Sequence, residues 1–355
     1  MKGCKRVFAL FLSMLLCGGT LAYADGPEGS TGEGIAVLKE EDFSAIVEKV
    51  IAEKAPVGAK VSVAYRYLQT GESAYYNADE WYYSASLYKL PMIMSYSHML
   101  LEGEPEGLDT MFLTDPQTIM HRCLVYSDNS WSLALVRYVF PQFNMRQMDA
   151  ELASFPEEEL PENYDNNSIY SARFVLGILQ ELYSNPEDYP NVIDYMCEAQ
   201  PDKYFHGKLG DSYVIAQKYG STKEVAHAAG IIFTPNPCLL VVMTEHAGIS
   251  LGETVIAEMA EALVDYTLTL DSSYETALEE KRLEEARLEE ERRKAEAEAR
   301  AAEEAAAAAE CSQESVTEES PPFPLPAAAY AACFAAGALA VFFFLHIRRK
   351  RKKAP

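Results

Sequence analysis

Apolar residues recur at helical spacing at Phe43, Ile46, Val47, Val50 and Ile51, which predicts an amphipathic first helix that stops before Pro56. From Lys60 to Leu68 the pattern changes to alternating β-branched and aromatic positions. Gln69-Thr70-Gly71-Glu72 then turns, and Ser73 to Asn77 returns, so the pair reads as a hairpin. A polar run, Tyr83-Ser84-Ala85-Ser86, tips into an apolar helical pattern over about 87–101. Residues 108–185 read as helices and loops, with a clear helix from about Ser171 to Tyr183. Strand patterns return at 212–218, 230–234 and 239–244, and a closing helix from about Glu253 presents Ile256, Met259, Leu263 and Tyr266. Strand pair, helical insert, strand trio and closing helix predict an α/β layering. The expected architecture is an antiparallel sheet flanked by helices plus a mostly helical lobe, with the site at the seam.

The two ends of the chain are patterned differently. Lys2, Lys5 and Arg6 precede the apolar run Val7 to Leu16, and Ala22-Tyr23-Ala24 supplies small residues for cleavage, so residues 1–24 read as a signal peptide. Residues 25–34 are a glycine-rich lead-in, and the globular domain is expected over 35–271. From Leu278 the chain repeats Leu-Glu-Glu-Lys-Arg, Leu-Glu-Glu-Ala-Arg, Leu-Glu-Glu-Glu-Arg before turning to alanine and glutamate. A coiled coil needs leucines alternately three and four apart, but Leu278, Leu283 and Leu288 step by five and make no seam. With pairs such as Glu289/Arg293, Glu290/Lys294 and Glu296/Arg300 in support, residues 272–310 read as a lone, solvated helical stalk and the protein as monomeric. A proline-rich linker (311–326), an apolar stretch (327–347) and a basic tail (348–355) follow. The stretch is long enough to span a bilayer, and the basic cluster after it belongs on the cytoplasmic side. The expectation is therefore a single-pass membrane protein whose domain is extracytoplasmic. Leu325-Pro326 before the apolar stretch suggests wall attachment instead, but Ala328-Ala329 stands where Thr-Gly would be needed.

Composition narrows the function. The formal net charge is −24, with no basic stripe in the body of the chain, which argues against nucleic acid as a partner. Of seven cysteines, Cys123, Cys197, Cys238 and Cys311 lie outside the leader and the apolar stretch. Their spacing is not that of metal ligands, and they read as small buried thiols. His121, His206, His227 and His246 are scattered, without the spacing of a zinc hydrolase, and no metal or other cofactor is expected. Trp81, Tyr82 and Tyr83 are expected to pack beneath the turn that carries Ser86.

Candidate chemistry lies in three short motifs. Ser86 and Lys89 fall one helical turn apart, so the lysine amine can approach the serine hydroxyl and act as its base once desolvated. Ser127-Asp128-Asn129 follows the apolar Cys123-Leu124-Val125-Tyr126, and Lys218-Tyr219-Gly220-Ser221 ends the strand-like Tyr213 to Gln217. Each has a plainer reading: Ser86 or Ser-Asp-Asn as helix caps, Lys218 as a solvated strand end, Tyr219-Gly220 as a turn.

The order Ser-x-x-Lys, Ser-Asp-Asn, Lys-x-Gly resembles the penicillin-recognising serine enzymes, class A β-lactamases and the related D,D-peptidases, over roughly residues 40–270. That resemblance implies a two-lobed fold and acyl transfer. Ser86 would be the nucleophile and Lys89 its base, the backbone N–H groups of Ser86 and Ser221 the oxyanion donors, and Ser127 the proton donor to the leaving nitrogen. Asn129 would orient Lys89 and the substrate, and Lys218, with Gly220 and Ser221, would hold the substrate and its carboxylate. In class A enzymes a loop glutamate with asparagine four residues on drives deacylation. Glu159, with Asn163, fits that spacing within an acidic, proline-flanked cluster that also reads as a solvated loop. Two departures stand out: Tyr219 replaces the family's Thr or Ser, and the gaps between the motifs are short. The expected activity is hydrolysis of β-lactam amide bonds, with D,D-carboxypeptidase action on stem peptides ending in D-Ala-D-Ala, or an inactive binder of peptidoglycan or β-lactam, as alternatives.

Overall fold

A computed structural model of the chain describes residues 35–164 and 168–314. The signal peptide, lead-in, apolar stretch and basic tail expected from sequence, and the linker from residue 315 on, lie outside the described residues.

The chain begins with α1 (Glu40–Lys54), then β1 (Lys60–Tyr67), β2 (Glu72–Tyr76) and β3 (Trp81–Tyr83). A 3₁₀ turn over Ala85–Tyr88 leads into α2 (Lys89–Glu102), followed by α3 (Pro116–Val125), α4 (Asn129–Tyr138) and α5 (Met145–Leu152). Next come β4 (Ile169–Ser171), α6 (Ala172–Ser184) and the short α7 (Val192–Met196) and α8 (His206–Leu209). The chain continues through β5 (Val214–Ser221), β6 (Val225–Phe233), β7 (Cys238–Glu245) and α9 (Gly248–Glu314).

Five strands form one sheet in the order β2-β1-β7-β6-β5, every neighbouring pair antiparallel. The early hairpin joins the late trio through β1 and β7, in register from Lys60 opposite Glu245 to Tyr67 opposite Cys238. Side chains alternate across a strand, and both faces of this sheet are covered. Leu239, Val241 and Met243 join the core beneath the helical lobe, with Phe174, Ile178 and Leu182 of α6. Cys238, Leu240 and Val242 face the second core, built with Phe43 and Val47 of α1 and Ile256, Met259 and Leu263 of α9. That is why these strands read as continuous apolar runs. Phenols tie α9 to β1 across the second core. The Tyr65 and Thr267 hydroxyls lie 2.8 Å apart, and Tyr67 donates to Asp271 at 2.7 Å. Their pairing offsets the cost of burying polar groups.

The layering expected from sequence is present, with several differences in detail. A second sheet of two short strands, β3 and β4, was not foreseen. Tyr82 is buried as expected, whereas Tyr83 is 50% exposed. The strand carrying the third motif runs through Ser221, and β6 starts at Val225, earlier than its apolar run suggests. The closing helix starts at Gly248 and continues without a break through the expected stalk. The first compact unit runs to Arg282 and the second begins at Leu283. In the second unit Leu283 and Leu288 are exposed, as the five-residue step demands. Lys294 pairs with Glu290 at 2.7 Å as predicted, while Arg292 bridges Glu289 and Glu296. Among the described residues no helix is long and apolar enough to cross a membrane. Cys123 and Cys238 are buried free thiols, and Cys197 is partly exposed.

Gly230 of β6 has no room for a side chain, since a methyl there would collide with the Ala216 carbonyl of β5. Gly230→Ala is predicted to lower stability by about 1–3 kcal/mol through overpacking. The check is the urea midpoint, and an unchanged midpoint would contradict the close β5–β6 approach.

Candidate active site

Three elements deliver the nucleophile. β3 leads into the 3₁₀ turn holding Ser86, and α2 starts only at Lys89, so the two residues are joined by a tight turn and not by the α-helix expected from sequence. Ala85 takes φ of +48°, a left-handed conformation that a non-glycine residue holds only when its surroundings impose it. Two hydrogen bonds supply that imposition. The Ser84 amide donates to the Ser168 carbonyl at 2.8 Å. From β6, His227 donates its Nε2–H to the Tyr83 carbonyl at 2.9 Å, while its Nδ1 accepts the Thr244 amide at 3.2 Å. These partners fix one neutral tautomer, and full burial pushes the imidazole down to about 4. His227 thus pins the strand that carries the nucleophile. Sequence reading passed over it; the available signal was a lone histidine inside an otherwise apolar strand.

Lys89 is completely buried. Its Nζ donates to the Ser127 carbonyl at 2.5 Å and to Asn129 Oδ1 at 2.7 Å, and stands 3.1 Å from Ser86 Oγ and 3.2 Å from Ser127 Oγ. Burial pulls the amine from its ordinary value down to about 8. A neutral amine has two hydrogens, which the two closest acceptors take. Its lone pair is then left for a serine hydroxyl.

The second motif divides its labour. Asp128 does what a capping residue does, accepting the Ser130 amide at 2.8 Å and the Trp131 amide at 3.3 Å at the start of α4. Arg122 grips its other oxygen with Nε at 2.9 Å and a terminal nitrogen at 2.7 Å. With that anchor fixed, Ser127 adopts φ of +56°, and Ser127 and Asn129 both reach Lys89.

The third motif lies on the sheet's edge strand, β5. The Thr222 amide donates to the Val225 carbonyl at 2.9 Å, so by the alternation of an antiparallel ladder the Tyr219 and Ser221 backbone groups point off the free edge. Gly220 sits so close to the nucleophile turn that a Cβ would lie 2.6 Å from the Ser86 nitrogen. Only glycine allows this, and it brings the Ser86 and Ser221 amides to the same seam. Lys218 is completely buried; its Nζ donates to Ser127 Oγ at 3.2 Å and to the Tyr219 carbonyl at 2.6 Å. Burial, with Lys89 nearby, holds this amine well below the usual lysine range.

Ser86, Lys89, Ser127, Asn129 and Lys218 therefore form one connected cluster, with Gly220 and Ser221 beside it. Glu159 is exposed at the end of a 3₁₀ turn over Glu157–Glu159. That loop is clamped by Arg146, which donates to the carbonyls of Glu157, Leu160 and Pro161 at 3.1, 2.8 and 3.1 Å. A serine, a desolvated amine and backbone amides at the same seam are the parts that acyl transfer requires.

Residues 42–120 and 115–267 match the model of a family described as the β-lactamase enzyme family. The chain belongs to this family. It is a serine hydrolase acting on amide bonds. No curated protein matches the sequence. Among solved structures, a β-lactamase from Sphaerobacter thermophilus DSM 20745 aligns with a TM-score of 0.53 at 18% identity, over 65% of this chain and 98% of that one. TLA-3 extended-spectrum β-lactamase aligns at 0.53 and 20% identity, over 64% and 99%. PBP-A aligns at 0.54 and 14% identity, over 64% and 97%, and a mutant of it forms an acyl-enzyme complex with penicillin G. At these identities the likeness establishes the fold. In this β-lactamase-family chain the five-residue cluster comes from the geometry above.

An amine at about 8 sets the pH dependence. Below that pH Lys89 is protonated and cannot accept the Ser86 proton, so labelling of Ser86 by a fluorophosphonate is predicted to climb about tenfold per pH unit up to about 8 and then level off. A flat profile from pH 6 to 9 would contradict this. Lys89→Met, which keeps the bulk and loses the amine, should slow labelling by about 10²–10⁴-fold.

Proposed function

We propose that this chain is an extracytoplasmic, membrane-anchored enzyme of class A β-lactamase type that hydrolyses β-lactam amide bonds through a covalent acyl-enzyme on Ser86. The observation that carries this reading is the Lys89 amine, buried and 3.1 Å from Ser86 Oγ, with its hydrogens committed to Ser127 and Asn129. Lys89 takes the Ser86 proton as the hydroxyl attacks the carbonyl carbon. The developing oxyanion is met by the Ser86 and Ser221 amides. Ser127, in contact with both lysines, delivers a proton to the departing nitrogen as the C–N bond breaks. Lys218 adds no hydrogen bond to Lys89, and burial together with the nearby Lys89 keeps its own amine well below the usual lysine range. Water then releases the acyl group.

That last step is where a second reading enters. Glu159 is the candidate base for deacylation, and it is exposed whereas Lys89 is buried. A long-lived adduct is the behaviour of a D,D-peptidase, and PBP-A, whose mutant forms a penicillin G acyl-enzyme, has this same fold. The anchor rests on the sequence pattern of residues 1–24, 327–347 and 348–355.

The test is a time course of the full chain with a labelled penicillin, followed by intact mass. Adduct on Ser86 that is formed and released in repeated turnover supports the β-lactamase reading. Adduct that persists for hours transfers the assignment to the peptidase, and absence of adduct leaves an inactive binder. Glu159→Gln reads the loop: a tenfold or larger slowing of release assigns it as the base, and unchanged release removes it from the mechanism. For the anchor, the expected result is that alkaline carbonate leaves the protein in the membrane fraction, and release into the supernatant would contradict it.

A further inference from the structure

The family pattern places a small hydroxyl between the lysine and glycine of the third motif, where it helps hold a substrate carboxylate. In this chain the position is Tyr219, and its side chain is fully engaged elsewhere. Its hydroxyl donates to the Val125 carbonyl at 3.3 Å and accepts from Gln200 Nε2 at 3.0 Å. The ring stacks on Tyr204, with centroids 5.0 Å apart and planes 28° from parallel. Tyr204 belongs to a segment buckled onto β5 by Gln217, which donates to the carbonyls of Ala199, Gln200 and Lys203 and accepts the Phe205 amide.

Held this way, the Tyr219 ring lies over the end of Lys218, with Nζ 4.2 Å from the ring centroid. On its other sides the amine faces Ser127 Oγ and the Tyr219 carbonyl, and no part of the residue reaches solvent. A carboxylate could reach Lys218 only by displacing a ring fixed at three points. On the next residue after β5, Thr222 Oγ1 accepts the Glu224 and Val225 amides at 3.2 and 3.4 Å, which turns it towards its own loop.

We infer that the leaving-group side of this site takes uncharged substrates: lactams or peptide amides with no free carboxylate beside the scissile bond. The inference rests on the acyl-transfer reading above and sharpens it. Lys218 serves the Lys89–Ser127 proton path and not anion recognition. Within the peptidase reading, a terminal D-alanine carboxylate is a poor fit, and an internal D-alanyl amide, as in a cross-link between stem peptides, is the matching substrate. Selectivity here comes from denying an anion the covered Lys218 amine, since a desolvated carboxylate without a cationic partner is disfavoured.

The test compares benzylpenicillin with its carboxyl methyl ester on the full chain. Ser86 acylation is followed by intact mass, and each rate is normalised to that compound's hydroxide-catalysed ring opening. The expected normalised ester-to-acid ratio is one or greater. A ratio below one overturns the inference while leaving acyl transfer intact, whereas no adduct from either compound refutes the acyl-transfer reading and this inference with it. Tyr219→Thr, which uncovers Lys218 and restores a small hydroxyl, should lower the ratio tenfold or more. Tyr219→Phe, which keeps the ring, should hold the ratio at the wild-type value. An unchanged ratio in Tyr219→Thr would show that the ring is not the barrier.

Discussion

Burial of the Lys89 amine among fixed acceptors is the constraint on which the site depends. An ammonium in this position loses its hydration, and its presence in turn lowers the second buried amine at Lys218. Ser127 stands between the two, its hydroxyl 3.2 Å from each Nζ. A single hydroxyl bridging two desolvated amines gives a proton on Ser86 a short route towards a departing nitrogen. Removing Lys89 would ease protonation of Lys218, whose amine it helps to depress.

The fold serves that pair by holding β5 against the nucleophile turn. The five-stranded sheet, packed on both faces, gives β5 a rigid inner neighbour in β6, and the absence of a side chain at Gly220 closes the distance. His227 works from the same strand, fixing the Tyr83 carbonyl three residues ahead of Ser86. Tyr219 completes the brace by bonding to Val125 at the end of α3, just before Ser127. Backbone strain at Ala85 and Ser127 is sustained by these supports.

Much of this was legible in the amino-acid sequence, and the reason is periodicity. The apolar spacing of Phe43, Val47 and Val50, or of Ile256, Met259 and Leu263, follows from one-sided burial, so the helices declare themselves. Ser86, Lys89, Ser127, Asn129 and Lys218 were legible because their chemistry demands those types in that order. The short β3–β4 pair was not, since three-residue strands carry almost no period. His227 was hidden because one histidine has no pattern, and its role depends on a carbonyl far away in the chain. The engagement of Tyr219 with Tyr204, Gln200 and Val125 is likewise a product of tertiary packing, although its unusual identity could be seen beforehand. Glu159 matched a spacing, but spacing in an acidic loop does not orient a carboxylate.

Activation of Ser86 turns on the charge of one amine, and that charge can be observed without any substrate. Lysine labelled with ¹³C at Cε, with the Lys89 signal assigned by its loss in Lys89→Arg, reports protonation directly through the shift on titration. The account predicts a midpoint at about 8, against an ordinary lysine value of 10.5. A Lys89 signal that stays in its ammonium form to pH 10 would mean that the residue is a fixed cation, and a different group would have to activate Ser86.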